Sequence, residues 1–146
     1  VPVISHRTIK TGLRRDRLEK IIKEAVEQSG RCELPVLGET MELEKAIEDA
    51  KKKNEVNIFL DFCKQRLSPK DFRALGSFTG GQTPPSLPLE RGGSHVIGIF
   101  VGPEGGWDEG ERKLVEENGF LVRSLGEFVL RAETAAIVAT YVATSF

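Results

Sequence analysis

Apolar residues recur along the chain with two alternating periods. Leu18, Ile21, Ile22, Ala25 and Val26 fall at i, i+3, i+4, i+7 and i+8, the stripe of a helix that buries one face. "RDRLEKIIKEAVEQSG" is therefore a predicted helix, with Asp16 placed as its cap and Gly30 just past its end. Leu43, Ala46, Ile47 and Ala50 repeat the spacing inside "MELEKAIEDAKKK", residues 41–53. There acids lead and lysines close, which complements the helix dipole.

Between the striped segments stand short runs of β-branched and aromatic residues. "VPVIS" opens the chain, "LPVLG" is a brief extended piece, and "VNIFLDF" (56–62), "HVIGIFV" (95–101) and "FLVRSL" (120–125) read as strands. Asp108 and Glu111 stand three apart, as a capping box for "EGERKLVEEN" requires, and Gly119 closes that helix. "AETAAIVATYVATSF" is a final apolar helix, and the Gly-, Pro-, Ser- and Thr-rich residues 76–94 read as a long surface loop. Strands and helices alternate, with a strand-helix-strand step about every 35 residues, which predicts an α/β fold with a mostly parallel sheet.

Composition adds little to that picture. The 146 residues are 39% apolar and 29% charged, as in an ordinary globular domain. No apolar run approaches the roughly 20 residues that cross a bilayer, and the start has no signal-peptide pattern. The absence of an initial Met reads as a fragment or a processed chain. Cys32 and Cys63, with two histidines and no clustered ligands, read as free thiols in a reducing cytoplasm and not as a metal site. Charge is uneven: residues 1–31 carry +4 and the remainder −5. That asymmetry suits a polyanion partner and equally a solvated helix face.

Candidate chemistry sits at strand exits, where open parallel sheets bind ligands. "GPEGG" (102–106) follows a strand and leads to a helix start. Its glycines serve either as a plain turn or as bare backbone against a ligand. It is no phosphate loop: the Lys and Ser/Thr are missing, and Glu104 would repel phosphate. A neutral or cationic ligand fits better. Asp61 and Glu104, at neighbouring strand ends, could act as an acid–base pair. In "SLGEFVLRAETAA" (124–136), Arg131 starts a helix and opposes its dipole. Either Glu127 and Glu133 compensate it, or it faces an anionic transition state. Thr134 could bond to the helix start. His6 and His95 read as incidental.

Those two segments together resemble the ribosomal RNA methyltransferases that act on nitrogen 3 of a uridine in small-subunit rRNA, members of the SPOUT class. "RLEKIIKEAVEQSGR" (17–31) resembles the helix that precedes them in that family, while 41–94 matches weakly. The resemblance implies a SPOUT-type α/β knot with a deep C-terminal trefoil, a homodimer, S-adenosyl-L-methionine as cofactor and no metal. It implies that Gly102, Pro103, Glu104, Gly105 and Gly106 line the cofactor, together with Leu125, Gly126, Val129 and Leu130. Asp61 stands where the family has a Glu in the first cofactor loop, and Arg131 and Glu133 would face the methyl-transfer site. Gly110, inside a helix start, departs from the pattern. So does the opening: the family's N-terminal PUA-like domain and first strand-helix unit are not in this sequence. Two other readings stay open: a SPOUT methyltransferase for another RNA, and a non-catalytic remnant that binds cofactor or RNA. A nucleotide-binding α/β module has no phosphate motif to support it.

Overall fold

The computed structural model describes residues 1–8, 12–68, 71 and 96–144. The predicted loop at 76–94 and His95 lie outside them. In chain order the elements are β1 (Val3–Ile4), α1 (Arg15–Ser29), β2 (Met41–Glu42), α2 (Leu43–Lys53) and β3 (Val56–Leu60). They continue with β4 (Ile97–Val101), α3 (Glu109–Glu117), β5 (Leu121–Arg123) and α4 (Ala132–Thr144).

Every strand pairing is parallel, as the alternation predicts, but the strands form two sheets. β1 pairs with β2, and β3 is the centre of a three-stranded sheet in the order β4-β3-β5. β3 ends at Leu60 and not at residue 62, and β5 spans three residues where six were expected. Pairing decides both boundaries, because the apolar residues Phe62 and Leu125 lie two positions past the last paired residues, Leu60 and Arg123. Leu60 is in register with Val101 on one side and Arg123 on the other. The three strands therefore finish level, and the chain leaves all of them at one edge.

Side-chain alternation along β3 divides the core. Phe59 points to a cluster with Leu43, Ile47 and Ala50 of α2, Val115 of α3, Phe120 and Val122. Ile58 and Leu60 point to the opposite face, against Ala139 of α4. Helices on both faces explain why β3 is apolar at every position except Asn57. Full burial of a side chain such as Phe59 stabilises the fold by about 1.5–3 kcal/mol.

The stripe on α2 is buried at all four predicted positions. The stripe on α1 is not: none of its residues is buried, and Leu18, Ile22 and Val26 are only partly covered. Amphipathic spacing states that a face is available and cannot state what covers it. Gly30 ends α1 in the left-handed region, at φ 65°. Asp16 is not the cap. Arg14 holds that position without a side-chain bond, and Asp16 lies inside the first turn. The start of α1 is tied instead by Arg15, which donates to the Leu37 carbonyl at 2.6 Å and to Glu39 at 2.8 Å.

Candidate functional site

The level strand ends make a cleft of about 480 Å³, within the range of small-molecule sites, roughly 300–1,000 Å³. Three exits supply its wall. Leu60, Asp61 and Phe62 come from β3, residues 101–107 follow from β4, and 123–125 with 128–132 come from β5 and the entry to α4. Ala135 closes it from the first turns of α4.

The glycine turn is built for reasons internal to the fold. A Cβ on Gly102 would stand 2.8 Å from Trp107 Nε1, and one on Gly105 would meet Arg7 Cβ at 3.3 Å. Gly106 has φ +67°, in the left-handed region, and its N–H donates to the Pro103 carbonyl at 2.9 Å. A Cβ on Gly106 would meet nothing within 4 Å, so the bare backbone there borders open space in the cleft. The plain-turn reading and the ligand reading therefore apply to different glycines of one turn.

Trp107 fixes the floor beneath the turn. Its indole N–H donates to the Leu60 carbonyl at 3.0 Å, and its ring centroid lies 4.2 Å from that of Phe59. One side chain thus links the exits of β3 and β4 and joins the cleft to the core. Its position was not singled out in the sequence. The available signal was the lone Trp directly after a glycine turn.

The capping box at α3 is complete. Glu111 N–H donates to Asp108 Oδ1 at 2.8 Å, and Asp108 N–H donates to Glu111 Oε2 at 3.0 Å. The Glu111 N–H leads in holding the Asp108 carboxyl below the usual carboxylate range. Gly110 has a local reason: a Cβ there would lie 3.2 Å from Asp108 Oδ1. His6, read as incidental, places Nδ1 3.1 Å from Asp108 Oδ2.

Charged groups on the wall differ in what they face. Asp61 Oδ2 accepts from Arg112 at 3.4 Å, and its Oδ1 takes the Phe62 N–H, so both of its oxygens have partners within the fold. Arg123 is mostly buried and donates through Nε to Asp71 Oδ1 at 2.7 Å. Burial pushes the Asp71 carboxyl up, but bonds from Arg123 and Ser68 outweigh it and hold the group below its ordinary value. Arg131 is exposed on the wall, and among the described residues it has no ion-pair partner. Glu127 does not compensate it, because Glu127 pairs with Arg66.

Of the residues expected to surround a cofactor, Asp61, Gly102, Pro103, Glu104, Gly105, Gly106, Leu125, Val129 and Leu130 share this wall with Arg131. Gly126 and Glu133 are not wall residues. Gly126 is held in a tight turn, with its carbonyl accepting from Ser124 Oγ at 2.6 Å. Glu133 is exposed on the first turn of α4. Phe62 and Phe128 are, like Trp107, wall residues not expected from the sequence; both are largely exposed. Nothing in their local pattern separates a rim aromatic from a core one.

Comparison with known proteins is consistent along the whole chain. A family model described as RNA methyltransferase domain matches residues 1–144. Ribosomal RNA small subunit methyltransferase E of Aquifex aeolicus is 29% identical over 143 residues, covering 94% of this chain and 52% of that protein. The Legionella pneumophila protein Lpg2936, solved in complex with the bound cofactor SAM, superposes with TM-score 0.74 at 27% identity, over 99% of this chain and 53% of that one. Ribosomal RNA small subunit methyltransferase E from Neisseria gonorrhoeae, bound to S-adenosyl methionine, gives TM-score 0.64 at 31% identity, over 96% and 52%. The chain thus spans about half the length of the relatives it matches. No helix among the described residues is long and apolar enough to cross a membrane.

Proposed function

The chain belongs to the RNA methyltransferase domain family, and from that premise we propose that it methylates nitrogen 3 of a uridine in small-subunit ribosomal RNA, with S-adenosyl-L-methionine as methyl donor. The observation that carries the reading is convergence. The 102–106 turn and the 125–131 segment, which carry the sequence resemblance, line one cleft at aligned strand ends. Relatives solved with the cofactor bound share the fold.

The cleft fits such a donor. Its lining is largely apolar, it offers backbone groups at Gly105 and Gly106, and carboxylates at Asp61 and Glu104 suit a cation better than a phosphate. When bound, the donor supplies a methyl group already activated by its sulfonium. The protein's own residues then have to orient the uridine and favour its N3 anion, with the N3 proton leaving to solvent water and the donor's sulfur leaving as the neutral thioether. Arg131 does the second: its guanidinium stabilises negative charge spreading onto the uracil oxygens. Its exposure on the wall leaves its N–H donors available to an incoming base. Glu133, two residues further on and exposed on the first turn of α4, would approach the same nucleotide from outside the cleft wall.

Two further parts of the reading come with the family resemblance. The parallel order β4-β3-β5 is compatible with a trefoil knot in the C-terminal segment. Ile137 and Tyr141, one turn apart on the outer face of α4, are largely exposed and suit a homodimer contact. One alternative is a remnant that binds cofactor without turnover.

The test is calorimetric titration of this chain with S-adenosylmethionine and S-adenosylhomocysteine, followed by methyl transfer to small-subunit ribosomal RNA. Binding with transfer at a uridine N3 is expected. Binding without transfer selects the remnant, and no binding removes the cofactor reading of the cleft.

A further inference from the structure

The N-terminal loop reaches across the molecule to the glycine turn. Arg7 Nη1 donates to the Gly105 carbonyl at 2.8 Å. The neighbouring His6 N–H donates to Glu111 Oε1 at 2.7 Å, and His6 Nδ1 contacts Asp108. The loop is itself closed: the Ser5 N–H donates to Thr8 Oγ1 at 2.9 Å and the Thr8 N–H to the Ser5 carbonyl at 3.0 Å, with Ser5 buried, which sets the direction in which His6 and Arg7 leave β1.

The bonded carbonyl belongs to a special peptide. Gly105 O and Gly106 N–H lie in one rigid trans amide plane and point in opposite directions within it. Arg7 holds the oxygen, and the Pro103 carbonyl holds the N–H at 2.9 Å. Three glycines within five residues make this turn costly to order. A charge-assisted bond at one end of the plane removes much of that freedom before any ligand arrives. Arg7 does not line the cleft, whereas Gly105 and Gly106 do.

We propose that Arg7 is a positioning residue for the cofactor cleft, holding the 105–106 peptide in its binding orientation without touching the ligand. The inference rests on the reading of the cleft as an S-adenosylmethionine site. Without Arg7 the turn spends part of its time in other conformations, and apparent affinity falls by the competent fraction.

The test compares wild type with Arg7→Met, which keeps an apolar stem without a donor, and Arg7→Lys, which restores one donor. Calorimetry gives the S-adenosylmethionine Kd, and hydrogen exchange gives protection of the Gly106 amide in the free chain. Arg7→Met should raise Kd about tenfold and speed Gly106 exchange by a similar factor. Arg7→Lys should recover most of both, which loss of packing alone would not predict. Wild-type binding with unchanged Kd and unchanged exchange in Arg7→Met overturns the positioning role alone. A wild type that binds no S-adenosylmethionine overturns the cofactor reading, and this role with it.

Discussion

The indole of Trp107 occupies the space that a side chain on Gly102 would need, with its Nε1 2.8 Å from where that Cβ would stand. The same nitrogen donates to the Leu60 carbonyl. One contact therefore holds the exit of β4 against the exit of β3, and the cleft between them has a rigid floor.

Gly102→Ala should force the indole away from Leu60. The expected cost is about 1–3 kcal/mol from overpacking, read as a lower urea midpoint. Because Trp107 is the only tryptophan, its fluorescence reports the displacement directly. An unchanged midpoint with unchanged emission would show that the floor adapts without strain.

Arg131→Ala should separate chemistry from binding. Removal of a group that stabilises developing negative charge should lower methyl transfer about 10²–10³-fold. The S-adenosylmethionine Kd should stay within a few-fold, because Gly105 and Gly106 provide the contacts proposed for the donor. Equal losses in rate and affinity would place Arg131 against the cofactor instead of the uridine.

Asp71 and Arg123 give a pH dependence of defined sign. The folded carboxyl lies below its ordinary value, so the unfolded chain binds a proton more readily. The stabilisation is full above the unfolded value, about 3.9, and is lost as pH falls through the folded one. Asp71→Asn should remove that part of the acid loss. At neutral pH it should also cost about 1–3 kcal/mol, because Arg123 is left mostly buried without its carboxylate. Parallel stability curves for variant and wild type across the acid range would refute the assignment.

Ile137→Asp should act on association. On an exposed face a new carboxylate costs the monomer little, but in an apolar interface it is left without water or partner. Light scattering is expected to give twice the mass of one chain for wild type and one chain for the variant. The same mass for both would remove this face of α4 from any dimer contact.

Much of the local structure was legible in order along the chain. The apolar stripe of α2, the Asp108–Glu111 box and the left-handed Gly30 depend on neighbours within four residues, so spacing and residue type determine them. The same holds for strand existence in 56–60 and 97–101, where β-branched and aromatic residues leave no competing pattern. Arg131 and the 102–106 turn could be singled out because each breaks a local preference, a cation at a helix start and three glycines after a buried strand.

What the tertiary structure alone decided depends on residues distant in sequence. The level ends of β3, β4 and β5 follow from register, which no single strand encodes. Whether an amphipathic face is covered also lies beyond its own residues: α1 and α2 carry similar stripes, yet only α2 is buried. Gly102 is bare because of Trp107, Gly105 because of Arg7 almost a hundred residues earlier, and Glu127 answers Arg66 and not the nearby Arg131. Local chemistry marks where a constraint exists, but the partner that imposes it is brought into place only when the chain packs.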